Sequence, residues 1–311
     1  MSQPPPTLLV PLDGSQSAEQ ALLLAAPLAA RSGGRLLLLS VPSIYTADLS
    51  WADAVYAQPM AAGAPVVSFE GLVAESERAT AAYLAAVAER MQAKGVAVET
   101  RMPSEVPARA ILACAEADGA TLIVMGSHGR GGMARWALGS VADKVVQAAP
   151  VPVLLTRGAT PRIRPDLGRI VVALDGSPLA TQVLPTVAWL ARVFEASVSL
   201  VTVAAGPEHV LWSGLAGSAS LASTAASERA AENYLLDQAE ALRGQNVEAE
   251  TALLVGDDVA ETLCNAAAAP DVGLLAITTH GRGGLARWAL GSVADRVART
   301  AQVPLLIQRA V

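Results

Sequence analysis

Cysteine is scarce in this chain: Cys114 and Cys264 are the only two. They lie far apart in Ala-rich helical patterns, so they form neither a disulfide framework nor a Cys-x-x-Cys metal pair. As free buried thiols they fit a reducing compartment. Lysine is equally rare, with only Lys94 and Lys144, and neither is placed as a phosphate clamp. The three histidines, His128, His209 and His280, share no metal-ligand spacing. Charge is also low: 22 Lys+Arg against 28 Asp+Glu leave a net −6, divided evenly between residues 1–156 and 157–311. A chain with no basic half and no basic tail argues against nucleic acid as a partner. No apolar run reaches the roughly 18–20 residues that span a bilayer. The opening MSQPPPTLLV lacks the basic stretch and apolar core of a secretory leader. The expectation is a cytoplasmic protein with no membrane partner. Hydrophobic residues make up 52%, which excludes intrinsic disorder. At roughly 150 residues per domain, 311 residues allow two domains.

What the chain does have is itself, twice. His128–Arg157 and His280–Arg309 share 21 of 30 positions, including the unbroken run ARWALGSVAD. LLVPLDGSQSA answers IVVALDGSPLA, and SERATAAYLAAVAER answers SERAAENYLLDQAEA. The offset is 162 from Asp13 to Asp175, 151 from Tyr83 to Tyr234 and 152 from Gly129 to Gly281. The first half therefore holds about eleven extra residues between its second strand and second long helix. This period is too long for a solenoid unit and reads as duplication of a whole domain. The expected division is a first domain over 1–157, a Pro-containing linker over 158–168 and a second domain over 169–311.

Within one half, short Leu/Val-rich runs alternate with helical patterns. Strands are expected at Leu8–Leu12, Leu36–Val41, Val96–Thr100, Thr121–Met125 and Val151–Thr156. Helices are expected around Ala21–Leu28, over Glu75–Lys94 and Pro107–Ala117, and from Gly139 to Ala149. Ser15 and its counterpart Ser177 are expected N-caps, with Pro178 at a first helical position. Alternation of this kind predicts a parallel, doubly wound α/β sheet covered on both faces. Ligands of such sheets lie at the carboxyl ends of the strands, at the topological switch point. That rule singles out the Asp13-Gly14 turn and the glycine-rich stretch after the fourth strand.

The stretch contains Gly126-x2-Gly129-x9-Gly139-Ser140. Glycines let backbone amides approach a ligand, and a helix opening at Ser140 offers unpaired amides and a dipole to an anion. The pattern is neither a Walker loop nor a GxGxxG fingerprint. A structural alternative stays open, because Ser140-x-x-Asp143 also reads as a capping box.

These residues resemble the universal stress protein family. The resemblance rests on Asp13-Gly14-Ser15, the Gly-Ser-His-Gly-Arg-Gly-Gly run, the Leu-Gly-Ser-Val helix opening and the final Val-Pro-Val-Leu-Leu, and it covers nearly the whole chain, twice. It implies two tandem three-layer α/β/α domains, each a five-stranded parallel sheet, Rossmann-like and adenine nucleotide alpha hydrolase-like. It also implies ATP as ligand, with Mg or Mn between phosphate oxygens left open. Carried over, Asp13 accepts from ribose or adenine, Pro11 shapes that end, and the backbone at Val41 reads the adenine edge. Met125, Gly126, His128 and Gly129 line the ribose and phosphates. Gly139, Ser140 and Val141 hold the phosphate tail, while Arg130 is either a phosphate contact or a solvated loop residue.

The second half keeps Asp175, Val203, Gly281, Gly291, Ser292 and Val293, but puts Thr278 where the first has Gly126 and Ala173 where it has Pro11. Thr278 either crowds the ribose or phosphate or offers a hydroxyl instead, so ATP binding there stays open, with weaker affinity than in the first half expected if it occurs. His128 and His280 are read as loop or ligand contacts rather than general bases. Trp136 and Trp288 suit packing or an interface, and the 42–71 connection suits a lid or a plain insertion. The apolar final strands invite edge pairing, and single-domain members of the family dimerise through that strand. An internal pseudo-dimer is therefore expected, with a homodimer of the whole chain left open. The functional expectation is an ATP-binding, stress-response regulatory module acting on an unidentified protein partner. A slow ATPase or phosphotransferase, and a scaffold that no longer binds nucleotide, are the alternatives.

Overall fold

The computed structural model describes residues 4–46, 68–127, 138–156, 163–204, 218–279 and 291–310. Its centre is one ten-stranded sheet of order β3-β2-β1-β4-β5-β10-β9-β6-β7-β8. The first five strands are Thr7–Pro11, Arg35–Leu39, Ala97–Arg101, Leu122–Gly126 and Val153–Thr156. The second five are Arg169–Ala173, Ser197–Ala204, Ala249–Val255, Val272–Thr278 and Leu305–Gln308. Each half is a parallel five-stranded unit with order 3-2-1-4-5. The seam between them is the antiparallel pair β5–β10, with Leu155 opposite Leu305 and Val153 opposite Ile307.

Besides the four-residue helix Gln16–Glu19, eight helices cover the sheet among the described residues. They are α1 (Leu22–Ser32), α2 (Phe69–Gln92), α3 (Pro107–Ala117) and α4 (Ser140–Ala148), followed by α5 (Leu184–Phe194), α6 (Ser218–Arg243), α7 (Val259–Ala267) and α8 (Ser292–Thr300). Strands buried on both faces explain the continuous apolar runs, since alternate residues feed opposite cores. Leu8, Val10, Leu154 and Leu306 pack under α1, α2, α5 and α6. Leu9, Ile123, Leu155 and Leu305 pack under α3, α4, α7 and α8. Both cores run unbroken across the seam. Helix α1 lies against α5, and the Arg31 guanidinium sits 5.2 Å from the Phe194 ring centre, a cation–π contact between halves.

Three local readings change. Helix α2 begins at Phe69, six residues before Glu75, because Ser68 accepts from Gly71 N–H at 3.1 Å. Its first turn faces solvent and so shows no apolar period. Pro178 does not open a helix: a 3₁₀ turn over Ala180–Val183 intervenes, and α5 starts at Leu184 with Pro185 in its first turn. Cys114 and Cys264 are half-buried beside the core, not fully enclosed.

The stretch ahead of β6 is tightly docked. Leu167 is buried, Arg164 donates to the Pro270 carbonyl at 3.2 Å, and Ser197 N–H donates to the Gly168 carbonyl at 3.0 Å. Gly168 has φ +54, and a Cβ there would meet the Asp271 carbonyl, so glycine is required.

Candidate functional site

In each half the strand order reverses between β1 and β4, or β6 and β9. Their carboxyl ends therefore flank the crevice that open α/β sheets use for ligands. The first wall is the turn after β1. Leu12 N–H donates to the Leu39 carbonyl at 2.7 Å, and then the chain turns through Gly14 at φ +81, a conformation that favours glycine. Half-buried Asp13 accepts at Oδ1 from Ser15 N–H (3.0 Å) and Ser15 Oγ–H (2.6 Å). Ser15 Oγ in turn accepts from Ala18 N–H at 3.1 Å and caps the short turn Gln16–Glu19. The second half repeats this wall: Gly176 has φ +81, Ser177 N–H donates to Asp175 Oδ1 at 2.9 Å, and Ala180 N–H donates to Ser177 Oγ at 3.2 Å.

The opposite wall is formed by the two described ends of the glycine stretch, which are fastened together. Ser127 N–H donates to the Thr156 carbonyl and Gly139 N–H to the Ser127 carbonyl, both at 2.8 Å. In the second half Thr279 N–H donates to the Gln308 carbonyl and Gly291 N–H to the Thr279 carbonyl, both at 2.9 Å. A Cβ on Gly291 would lie 2.6 Å from that carbonyl oxygen, so the close approach excludes any side chain. Met125 is buried in β4, and Gly126 ends that strand opposite Thr156.

Gly139 is the N-cap of α4 and provides no side-chain acceptor; Gly291 does the same for α8. The first intrahelical bond of α4 runs from Asp143 N–H to the Gly139 carbonyl at 2.9 Å, so the amides of Ser140 and Val141 precede the ladder. Asp295 repeats it at 2.8 Å, ahead of which lie Ser292 and Val293. The capping-box alternative is not realised, since Gly139 rather than Ser140 is the N-cap and no side chain caps the helix; the Asp143 carboxylate accepts instead from Gln147 Nε2 at 3.0 Å.

The edge residues fit the same crevice. Ser40 N–H bonds the Arg101 carbonyl of β3, so the next residue, Val41, presents its backbone back over β1, which has ended at Pro11. In β7, Val198 faces β8 and Val201 faces β6, so Val203 faces the space beyond Ala173, the last residue of β6. His128, Gly129, Arg130, Trp136, His209, His280, Gly281, Trp288 and most of the 42–71 connection lie outside the described residues.

Some features escaped the sequence. Tyr83 Oη donates to Glu19 Oε1 at 3.1 Å while Arg90 pairs with Glu19 Oε2 at 2.6 Å, which braces the Asp13 turn against α2. Burial, then the Glu19 carboxylate, pushes the Tyr83 hydroxyl well above the usual phenol range. In the second half Tyr234 Oη donates to the Ser177 carbonyl at 3.5 Å. The SERA repeat aligned the two tyrosines but gave no partner. Thr278 is the clearest asymmetry: its hydroxyl donates to the Ala180 carbonyl at 3.2 Å, joining the end of β9 to the turn after β6. Among the described residues no three metal-ligating side chains converge, and no described helix is long and apolar enough to cross a membrane.

The sequence profile of the universal stress protein family matches residues 6–157 and again 167–309. The chain belongs to the universal stress protein family. A universal stress protein of Mycobacterium tuberculosis is 31% identical over 194 residues, which cover 61% of this chain and 62% of that one. The match therefore spans less than two-thirds of that relative's length. One from Thermus aquaticus is 36% identical over 152 residues, 49% of this chain and 98% of its own. The crystal structure of a universal stress protein from Archaeoglobus fulgidus superposes with a TM-score of 0.70 over 97% of this chain and 98% of that one, at 18% identity. At that identity the similarity shows the fold: tandem Rossmann-like α/β units.

Proposed function

We propose that the chain is an ATP-binding regulatory module of the stress response, working in the cytoplasm on a protein partner. The carrying observation is the start of α4: an uncapped helix, fastened by the Gly139–Ser127 hydrogen bond, at the same crevice as the Asp13 turn. Free first-turn amides and the helix dipole suit phosphate oxygens. Asp13 and the backbone of Val41 suit the ribose and adenine. Pro11, Met125 and Gly126 form the floor, while Ser140 and Val141 hold the phosphate tail. Asp175, Val203, Thr278, Gly291, Ser292 and Val293 occupy the equivalent places in the second half. Mg or Mn, if present, would bind together with the phosphate oxygens of the nucleotide.

The test is the nucleotide content of freshly purified protein, denatured and quantified by mass spectrometry as moles per chain, with Asp13→Ala alongside. Between one and two ATP per chain, falling by one in the variant, supports the reading. ADP alone shifts it to the slow ATPase. No nucleotide, together with no calorimetric binding of Mg-ATP, sinks it and leaves the scaffold.

A further inference from the structure

The halves differ in charge beside the phosphate end of the crevice. Helix α3 follows Glu105 and Val106, with Arg109 in its first turn, and its N-cap Val106 offers no side-chain acceptor. The equivalent residues before and in α7 are Asp257, Asp258 and Glu261, three carboxylates in place of one carboxylate and one arginine. Asp258 caps α7 through Oδ1, which accepts from Glu261 N–H at 3.1 Å. Its Oδ2 holds Arg296 of α8 in an ion pair.

Arg296 stands one turn beyond Ser292 on the same face of α8, and helical side chains lean toward the N-terminus. Its counterpart over Ser140 is the exposed Lys144, for which no ion pair occurs among the described residues. The other arginine of α8, Arg299, is bound bidentately by Asp295 at 2.8 and 2.9 Å. The cations of α8 are thus engaged by carboxylates, whereas Lys144, which the sequence pattern alone did not place as a phosphate clamp, stands exposed one turn beyond Ser140 with no ion pair among the described residues. Independently, the Thr278 hydroxyl joins β9 to the turn after β6 where the first half has only Gly126.

We infer that the second site takes a nucleoside monophosphate in preference to a triphosphate, and that the first takes the triphosphate. This rests on the reading of both crevices as adenine-nucleotide sites. A triphosphate carries roughly twice the charge of a monophosphate, so engaged arginines and added carboxylates disfavour it more. The ion pair is partly exposed, with side chains 60% and 33% accessible, so the effect is a screened preference rather than exclusion.

Calorimetric titration of the full chain with ATP and with AMP tests this, using Asp13→Ala so that the Asp175 site reports alone. AMP is expected to bind that site at least about tenfold tighter than ATP. Asp258→Asn, which keeps a capping acceptor but removes the charge, is expected to tighten ATP at least threefold and AMP less. The same shift appears in the weaker ATP step of the chain with Asp13 intact, should Asp13→Ala not fold. ATP binding as tightly as AMP at the Asp175 site overturns the inference, as does an Asp258→Asn variant that moves both nucleotides alike. If the unmodified chain binds ATP at one site, only the inference is at stake; if it binds neither nucleotide, the adenine-nucleotide reading falls as well.

Discussion

Asp13 and Asp175 each hold their own turn: Oδ1 takes the amide two residues on, and that serine caps the turn after it. Removing the carboxylate therefore loosens the turn as well as any ligand contact. Tyr83→Phe separates these effects, because it leaves Asp13 intact while breaking the hydrogen bond to Glu19. It is expected to cost about 1.5–3 kcal/mol in denaturant unfolding, as for a hydrogen bond to a charged acceptor. Gly291→Ala tests the other wall. Its φ of −57 is ordinary, so any penalty comes from the 2.6 Å approach to the Thr279 carbonyl. A loss of about 1–3 kcal/mol is expected from overpacking, whereas an unchanged unfolding midpoint contradicts the fastened loop. At Cys114 burial, then Asp118, raises the thiol above its ordinary range. Less thiolate at neutral pH predicts slower alkylation by iodoacetamide than for free cysteine. At this scale the sequence displayed Asp13, Gly139 and Ser140, because local chemistry places them. It hid Glu19–Tyr83, Thr278–Ala180 and Asp258–Arg296, because each joins residues that only the folded chain brings together.

Helices α3 and α7 are duplicates with different starts, one capped by an apolar residue and the other by Asp258. The amide of Glu261, then Arg296, holds the Asp258 carboxyl below the usual carboxylate range. A folded-state value below the unfolded one stabilises above the unfolded value and is lost as pH falls through the folded one. Asp258→Ala is accordingly expected to lower the unfolding midpoint at neutral pH, with the gap closing below about pH 4, where an ordinary Asp protonates. A gap that persists in acid contradicts this. Element existence was readable throughout, since apolar runs and helical stripes report burial directly. Boundaries were less so: Pro107–Ala117 has a proline start and a clear stripe, whereas the first turns of α2 have neither.

The duplication and the α/β alternation are visible in the sequence, as are the strand ends that carry the candidate site. The shared cores are not, because no periodicity tells which apolar residues of one half touch the other. Leu154 and Leu306 meet across the seam and belong to one cluster reaching from Leu8 to Leu274. Thermal unfolding should therefore be one transition, with calorimetric and van't Hoff enthalpies in agreement. Two resolved transitions would show halves that fold independently. Leu306→Ala should lower the midpoint of that transition, by about 2–5 kcal/mol in stability.

The antiparallel seam also sets a direction. All strands of the first half run one way and all strands of the second run the other. The crevice at Asp13 therefore opens on one rim of the continuous sheet and the crevice at Asp175 on the opposite rim. A partner seated over one mouth leaves the other uncovered. Ligands bound at both proposed crevices would therefore be displayed at opposite rims, and the chain would be two-headed, each mouth reachable without covering the other.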